Sequence, residues 1–314
     1  MEQWSWRDVT VLVTGGAGFV GRHVVENLAS RRGVDRSRIR VPRSKDLDLR
    51  RLDECRRAVE GCEVVIHLAA VTGGIAFARQ YPARQYYDST LIDLNMAEAA
   101  RLAGVRKFVA IGNLFAYPPD AVSPLKEEDL FGSMPLPAHR GVGAMKRNLA
   151  VIADLYHREY GLPMVVVYSA NAYGPHDSTD PAHAHVIPAT IMKCFRDPDL
   201  VVWGDGTPTR DFLYVADIAE GLLLAAEKLD PPQYINIGSG REVSVRELVT
   251  TIAELCEFEG RISYDLSKSG GDARRGSSVD RAARLLGFQP STSLEEGLRE
   301  TVAWYRAQLG AGVA

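Results

Sequence analysis

The 314-residue chain is 46% hydrophobic and 25% charged and carries a formal net charge of −3, the make-up of a globular protein with a sizeable core. That balance lacks the clustered basic excess of a nucleic-acid footprint, and no run approaches the ~20 apolar residues of a membrane span. The opening Met1-Glu2-Gln3-Trp4-Ser5-Trp6-Arg7-Asp8 has charges but no apolar h-region, so no signal peptide and a cytoplasmic location are expected. Cys55, Cys62, Cys194 and Cys256 show no metal spacing and read as reduced thiols.

Val9–Val13 reads as a buried strand, followed by a glycine-rich turn and a helix near Phe19–Arg31. Further short apolar runs at Ile39–Val41, Val64–Ala69, Lys107–Ile111 and Pro163–Val167 read as strands. Helical periods lie between them at Tyr86–Ala103 and Leu149–Tyr160. Strands alternating with helices predict an α/β fold, a doubly wound parallel sheet covered on both faces. The second half is less regular. Asn171–Ala182 is rich in turn residues, a helix-like stretch follows from Ile187, then Leu200-Val201-Val202-Trp203 and Gly204-Asp205-Gly206, and Ser293–Leu309 reads as a closing helix. The expected organisation is a dinucleotide-binding unit over 1–170, with segments around 210–240 returning to it. A smaller C-terminal α/β substrate-binding unit occupies 171–314.

Thr14-Gly15-Gly16-Ala17-Gly18-Phe19-Val20-Gly21 follows the first strand and opens the first helix. Glycines permit the tight turn and let the backbone approach a pyrophosphate at the positive helix end, the Rossmann fingerprint. Gly15, Gly18, Phe19, Val20 and Gly21 are therefore candidate cofactor contacts. The second strand ends in Val41-Pro42-Arg43-Ser44-Lys45. Cations there suit a 2′-phosphate, so Arg43 and Lys45 favour NADP, with NAD kept open by the nearby Asp46 and Asp48.

Further blocks are His67-Leu68-Ala69-Ala70 with Gly73-Gly74-Ile75 and Tyr81-Pro82-Ala83, then Asn171 to Asp177, His185 to Ala189, and Val202 to Phe212. With the glycine loop they resemble the extended short-chain dehydrogenase/reductases acting on nucleotide sugars, the epimerase/dehydratase family, and within it the GDP-L-fucose synthase branch. The resemblance spans nearly the whole chain and implies a GDP-sugar substrate, Ala69 beside the cofactor, and a homodimer packed through the Tyr86–Ala103 and Leu149–Tyr160 helices. It also implies a serine, a cysteine and a tyrosine at positions where this chain has Asn113, Phe115 and Val142, whereas the paired lysine and histidine are kept as Lys146 and His185. A phenol beside an ammonium can shuttle a proton; valine cannot, and an amide does not exchange one at neutral pH.

By the same resemblance Lys146 orients the nicotinamide ribose, and Asn113 and Asn171 can hydrogen-bond the sugar. Lys193 faces the substrate, Trp203 stacks on sugar or base or else sits in the core, and Arg210 pairs with the diphosphate. Arg274 and Arg275 are weaker diphosphate candidates, open to a solvated-face reading. His185 is either the surviving acid/base or a hydrogen-bonding group, and His139, beside Val142, is a candidate substitute proton donor. His23 and His157 read as surface or satisfied histidines. His176, Asp177, Asp180, His183 and His185 form a dense polar cluster, but the spacing fits no closed metal motif and no metal is expected. Three functions stay open: an isomerase of a GDP-hexose or GDP-6-deoxyhexose without net redox change, such as a pyranose–furanose mutase; an epimerase or reductase with a substituted acid/base; and a nucleotide-sugar-binding protein without turnover.

Overall fold

The computed structural model describes residues 5–71, 77, 80–135, 139–180, 184–268 and 273–310. Gly73-Gly74-Ile75, His183 and positions 269–272 lie outside the described residues. Six strands form a parallel sheet: β1 (Val11–Thr14), β2 (Ile39–Arg40), β3 (Val64–His67), β4 (Lys107–Asn113), β5 (Met164–Ser169) and β9 (Tyr234–Ile237), in the order β2-β1-β3-β4-β5-β9. Apolar runs such as Val64-Val65-Ile66 are buried on both faces, which is why they are continuous rather than alternating. The chain runs from β1 to one side at β2 and then crosses back to β3. That reversal opens a crevice at the carboxyl ends of β1 and β3, where open α/β sheets bind ligands.

Helices α1 (Phe19–Ser30) and α6 (Val215–Lys228) pack together on one face of the sheet; α2 (Leu52–Val59), α3 (Pro82–Ala103) and α4 (Arg140–Tyr160) cover the other. Arg32, just after α1, forks onto Glu220 of α6, with Nη2 2.7 Å from Oε1, and its Nε donates to Glu227 at 3.2 Å. Helix α4 begins nine residues earlier than its periodicity predicts. Gly141 and Gly143 weaken helix propensity in its first turn, yet a Cβ on Gly143 would lie 2.3 Å from Phe115 O and 2.6 Å from Pro135 Cβ. Packing against that turn needs the glycine and overrides the propensity.

The second half is more regular than its sequence predicts. It adds β6 (Asn171–Tyr173), α5 (Val186–Arg196), β7 (Asp199–Trp203), β8 (Thr209–Tyr214), β10 (Glu242–Ser244), α7 (Val245–Leu255), β11 (Arg261–Asp265), β12 (Arg274–Arg275), α8 (Asp280–Leu286) and α9 (Leu294–Gly310). Strand β8 lies between β10 and β12 and also pairs with β6, while β7 and β11 form a separate parallel pair. Ile187, Ile191, Leu248, Ile252, Leu298 and Val302 build a second core between α5, α7 and α9. Among the described residues no helix is long and apolar enough to cross a membrane.

One packing detail fixes the floor of the site. Gly112 on β4 lies opposite Tyr168 on β5, and a Cβ there would be 2.3 Å from Tyr168 Cδ1. The missing side chain lets the Tyr168 ring lie across β4, so that its hydroxyl donates to Lys146 O on α4 at 3.0 Å. Gly112→Ala overpacks this buried contact and should lower stability by about 1–3 kcal/mol in urea unfolding; a change within about 0.5 kcal/mol, as at an ordinary surface position, would contradict it.

Candidate active site

The cofactor loop is shaped by three glycines. Gly15 has φ +70°, and a Cβ on it would lie 3.0 Å from Ala69 N. At Gly18 the added atom would be 3.1 Å from Gly15 O; at Gly21 it would be 2.2 Å from Gly15 O and 2.5 Å from Gly16 Cα. Gly18 is the N-cap of α1 and offers no side-chain cap, which leaves the first-turn N–H groups of Phe19, Val20 and Gly21 for an anion. The loop therefore fits a dinucleotide pyrophosphate. Arg43 and Lys45 are exposed on the turn after β2. Asp48 is forked by Arg50 at 2.9 and 2.8 Å, which holds its carboxyl below the usual range and occupies it; of the two nearby acids that could favour NAD, Asp48 is thus engaged elsewhere, while Asp46 is exposed on the turn.

The sheet ends around the loop are tied by one buried hydroxyl. Thr14 Oγ1 accepts from Leu68 N at 3.2 Å and Ala69 N at 3.3 Å, and lies 2.7 Å from His67 Nδ1. With both lone pairs taken, the threonine proton goes to His67 Nδ1, so Nε2 carries the ring proton and donates to Asp93 Oδ1 at 3.0 Å. The sequence singled out neither Thr14 nor Asp93 as a partner of His67. A polar residue at the ends of two adjacent buried strands was the available signal.

Asn113 ends β4, two residues after Ile111, whose carbonyl accepts from Lys146; His139 is the N-cap of α4 and Val142 lies in its first turn, one turn before Lys146. Asn113 Oδ1 accepts from Phe115 N at 3.1 Å and caps the short 3-10 turn Leu114–Ala116, so its amide NH2 is the group left to donate. Lys146 is buried and donates from Nζ to Ile111 O at 2.9 Å; burial lowers its pKa, and the negative charge of Asp93 opposes that fall. The half-buried Phe115 stacks on His139 with ring centroids 4.3 Å apart and planes 27° from parallel. The neighbouring phenols point elsewhere. Tyr117 donates to Asn236 Oδ1 at 2.6 Å, Tyr168 to Lys146 O, and Tyr173 towards Ser293 O and Leu294 O. Burial raises the pKa of all three.

His185 is the N-cap of α5 and its side chain is 68% exposed. Its Nδ1 lies 3.6 Å from Oδ2 of buried Asp177, and that carboxylate holds the imidazole above its ordinary pKa while partial burial opposes it. Asn171 Nδ2 donates to Asp211 O at 2.8 Å, and Lys193 Nζ to Val201 O at 3.0 Å. Trp203 is 59% exposed at the end of β7, which removes the core alternative and leaves its face open. Arg210 Nη1 donates to Thr209 O at 2.7 Å. Arg274 is exposed but forked onto Glu242 at 3.1 and 2.8 Å; with Ser123 and Thr209 also donating, this pulls the Glu242 carboxyl down to about 2. Arg275 is not a solvated residue: it is buried and donates from Nη1 to Leu114 O at 2.6 Å, bracing the turn beside Asn113.

Two histidines are satisfied, as expected: His23 Nε2 contacts Pro175 O at 3.1 Å and His157 Nδ1 contacts Leu162 O at 3.3 Å. The four cysteines are free thiols. Among the described residues no group of three or more His, Cys, Asp or Glu side chains could hold a metal ion.

Residues 11–238 match the model of the NAD dependent epimerase/dehydratase family, a span that starts with β1 and closes just after β9, the last strand of the large sheet. The chain belongs to that family. It is 34% identical over 298 residues to a GDP-L-fucose synthase of Sinorhizobium fredii, covering 93% of each chain. It is also 34% identical over 316 residues to the GDP-L-fucose synthase of Escherichia coli, covering 94% of this chain and 96% of that one. Among solved structures, a GDP-L-fucose synthetase from Naegleria fowleri bound to NADP is 28% identical with a TM-score of 0.88, over 98% of this chain and 95% of that one. A UDP-glucose 4-epimerase from Thermotoga maritima, solved with UDP-glucose, is 30% identical with a TM-score of 0.84, over 95% and 99%.

The glycine loop generates a direct test. In Gly21→Ala the new methyl collides with loop backbone, which cannot yield as a side-chain tip would. The strain of about 1–3 kcal/mol should weaken NADPH binding roughly 10- to 100-fold in a fluorescence titration. Unchanged affinity would show that the cofactor does not use this loop.

Proposed function

We propose that the protein is a nucleotide-sugar isomerase acting on a GDP-linked hexose or 6-deoxyhexose without net redox change, of the kind that interconverts pyranose and furanose rings. NADP(H) is the cofactor, and when bound it supplies hydride exchange or simply a preformed wall for the sugar. The substrate class rests on the GDP-L-fucose synthases that match along nearly all of the chain. The single observation that carries the reaction class is the fate of the phenols: Tyr117, Tyr168 and Tyr173 are each hydrogen-bonded inside the fold, and Val142 stands one helical turn before Lys146 where the resemblance places tyrosine. A net reduction would have to form an alkoxide with no phenol to protonate it, whereas an isomerisation returns every proton it borrows.

In this reading Lys146 holds the ribose of the cofactor, and its Nζ keeps donor capacity beyond its bond to Ile111 O. Asn113 offers its amide NH2 to a sugar oxygen, Trp203 covers one face of the ligand, and Arg210 lies near the diphosphate. His185 is the proton-exchanging group. The apolar wall of Phe115 and Val142 suits a deoxy position of the sugar. The exposed apolar residues Tyr86, Tyr87, Leu94 and Leu102 on α3, with Val151, Leu155 and Tyr160 on α4, support a homodimer formed through these helices.

A second reading draws on the His139–Phe115 stack, which places an imidazole beside Val142. In that reading His139 donates the proton in an NADPH-dependent reduction. One experiment separates the two. Incubation with GDP-fucose should give a new product of unchanged mass with no loss of nicotinamide absorbance. Stoichiometric oxidation of NADPH with a GDP-4-keto-6-deoxy sugar would favour reduction. Recovery of unchanged sugar across a GDP-sugar panel would overturn the enzyme assignment. Restoring the relay with Val142→Tyr and Asn113→Ser should raise NADPH-dependent reduction by about 10²–10⁴ over the parent.

A further inference from the structure

Asp177 has no assigned task, yet its setting is unusual. It is 6% exposed, and its Oδ2 is buried with no hydrogen-bond partner among the described residues. Its Oδ1 accepts from Ser178 N at 2.7 Å, and Ser178 O accepts from Tyr305 on α9 at 3.0 Å. The preceding residue, His176, sits at φ +72°, with its ring 5.9 Å from that of His23 on α1 and 5.1 Å from that of Trp304 on α9. A non-glycine residue held in the left-handed region, gripped by two helices, fixes where the carboxylate points. It points at His185 Nδ1, 3.6 Å away.

We propose that Asp177 is a positioning residue: it holds His185 with Nδ1–H turned to the buried carboxylate, so that Nε2 faces the sugar as the atom that gives and takes the proton. The proposal rests on the reading that His185 acts on the substrate and adds what aims it. At 3.6 Å the contact is an ion pair rather than a hydrogen bond, and a small rotation of the exposed ring closes it as ligand fills the site. As the C1–O5 bond of the sugar breaks, the Nε2 proton of His185 passes to O5; O4 then bonds to C1 and its hydroxyl proton goes to Nε2. The Nδ1 proton stays on His185, facing Asp177, so one C–O bond replaces another and no oxidant or reductant is consumed. The alternative orientation, with Nε2 turned to Asp177, would leave the exposed nitrogen displaced along the ring and unsupported.

Other titratable groups around the pair do not compete for this role. Tyr305 faces Asp177 from α9, but its phenol is pushed up by burial, with Asp177 adding to the rise, and it donates to Ser178 O. His176 turns towards Trp304 and is held below its ordinary value by burial and Arg22. Asp180 follows on the same loop, and Lys193, two turns along α5, is bonded to Val201 O. The sign follows from the direction of the shift. With His185 raised above its ordinary value, the protonated acid persists to higher pH, and turnover falls as pH rises through that raised midpoint.

The test follows the two ring nitrogens of His185 by NMR in isotope-labelled, full-length protein, assigned with His185→Gln. The parent should titrate above an ordinary imidazole and, once neutral, carry its proton on Nδ1. In Asp177→Asn the midpoint should fall and the Nδ1–H preference should disappear. Turnover of the GDP-sugar should drop by about tenfold or more, its alkaline limb should move to lower pH, and KM should stay within about threefold. An unchanged midpoint in Asp177→Asn overturns the proposal. If that variant does not fold, the parent alone decides, because an Nε2–H tautomer in the neutral state overturns it. A midpoint that moves while His185→Gln keeps full turnover upholds the pairing and overturns the reading that His185 acts on the sugar.

Discussion

The hydroxyl of Thr14 is the smallest group on which the rest of this structure depends. It joins the ends of β1 and β3 by accepting from two backbone N–H groups of the β3 end and donating to His67, whose far nitrogen donates to Asp93 on α3. An open parallel sheet leaves a crevice at its switch point, and the width of that crevice decides whether a dinucleotide can lie across it. Here a buried hydrogen-bonded chain ties the two strand ends together beside the close-packed glycine loop. Removing one member would leave the others buried without partners, so the network acts as a unit. The same chain ends on the carboxylate whose charge acts on Lys146, linking the glycine loop to the buried lysine beneath the end of β4.

Lys146 itself is positioned by what is missing around it. Gly112 lets Tyr168 reach across to Lys146 O, and Gly143 lets α4 settle on the turn that carries Asn113 and Phe115. From the other side Arg275 clamps Leu114 O of that turn, tying it to β12 of the small sheet. The turn is thus held by elements far apart in sequence. The site keeps a rigid frame while positions 113, 115 and 142 carry Asn, Phe and Val, side chains with no proton to exchange at neutral pH.

The sequence made five of the six strands of the large sheet legible, because they are short, apolar and separated by helical periods; β9 (Tyr234–Ile237), reached only after the irregular second half, was not among them. The glycine loop could be placed because it falls between a buried strand and an amphipathic helix. Less was visible in the second half. Helix α6 buries Val215, Ile218, Ala219, Leu222, Leu223, Ala225 and Ala226, so it is apolar nearly all round and shows no single stripe. The early turn of α4 was hidden by two glycines whose reason is a tertiary contact. In the site, single residues were visible but their partners were not: Lys146 could be read, its carbonyl acceptor could not. The Thr14–His67–Asp93 chain joins residues 53 and 26 positions apart, and the Asp177–His185 pair depends on a left-handed backbone at His176 that no local pattern announces. Arg275 looked like a loop cation because its burial comes from a strand of only two residues.

The central claim is that this family frame seats cofactor and sugar together around a pocket without a phenolic relay, leaving His185 to exchange the proton. The most direct measurement is a crystal structure of the ternary complex with NADP and a GDP-6-deoxyhexose. The account predicts His185 Nε2 within hydrogen-bond distance of the sugar ring, Val142 against its face, and the hydroxyls of Tyr117, Tyr168 and Tyr173 still bonded within the fold. A tyrosine hydroxyl touching both the nicotinamide and the sugar would contradict it.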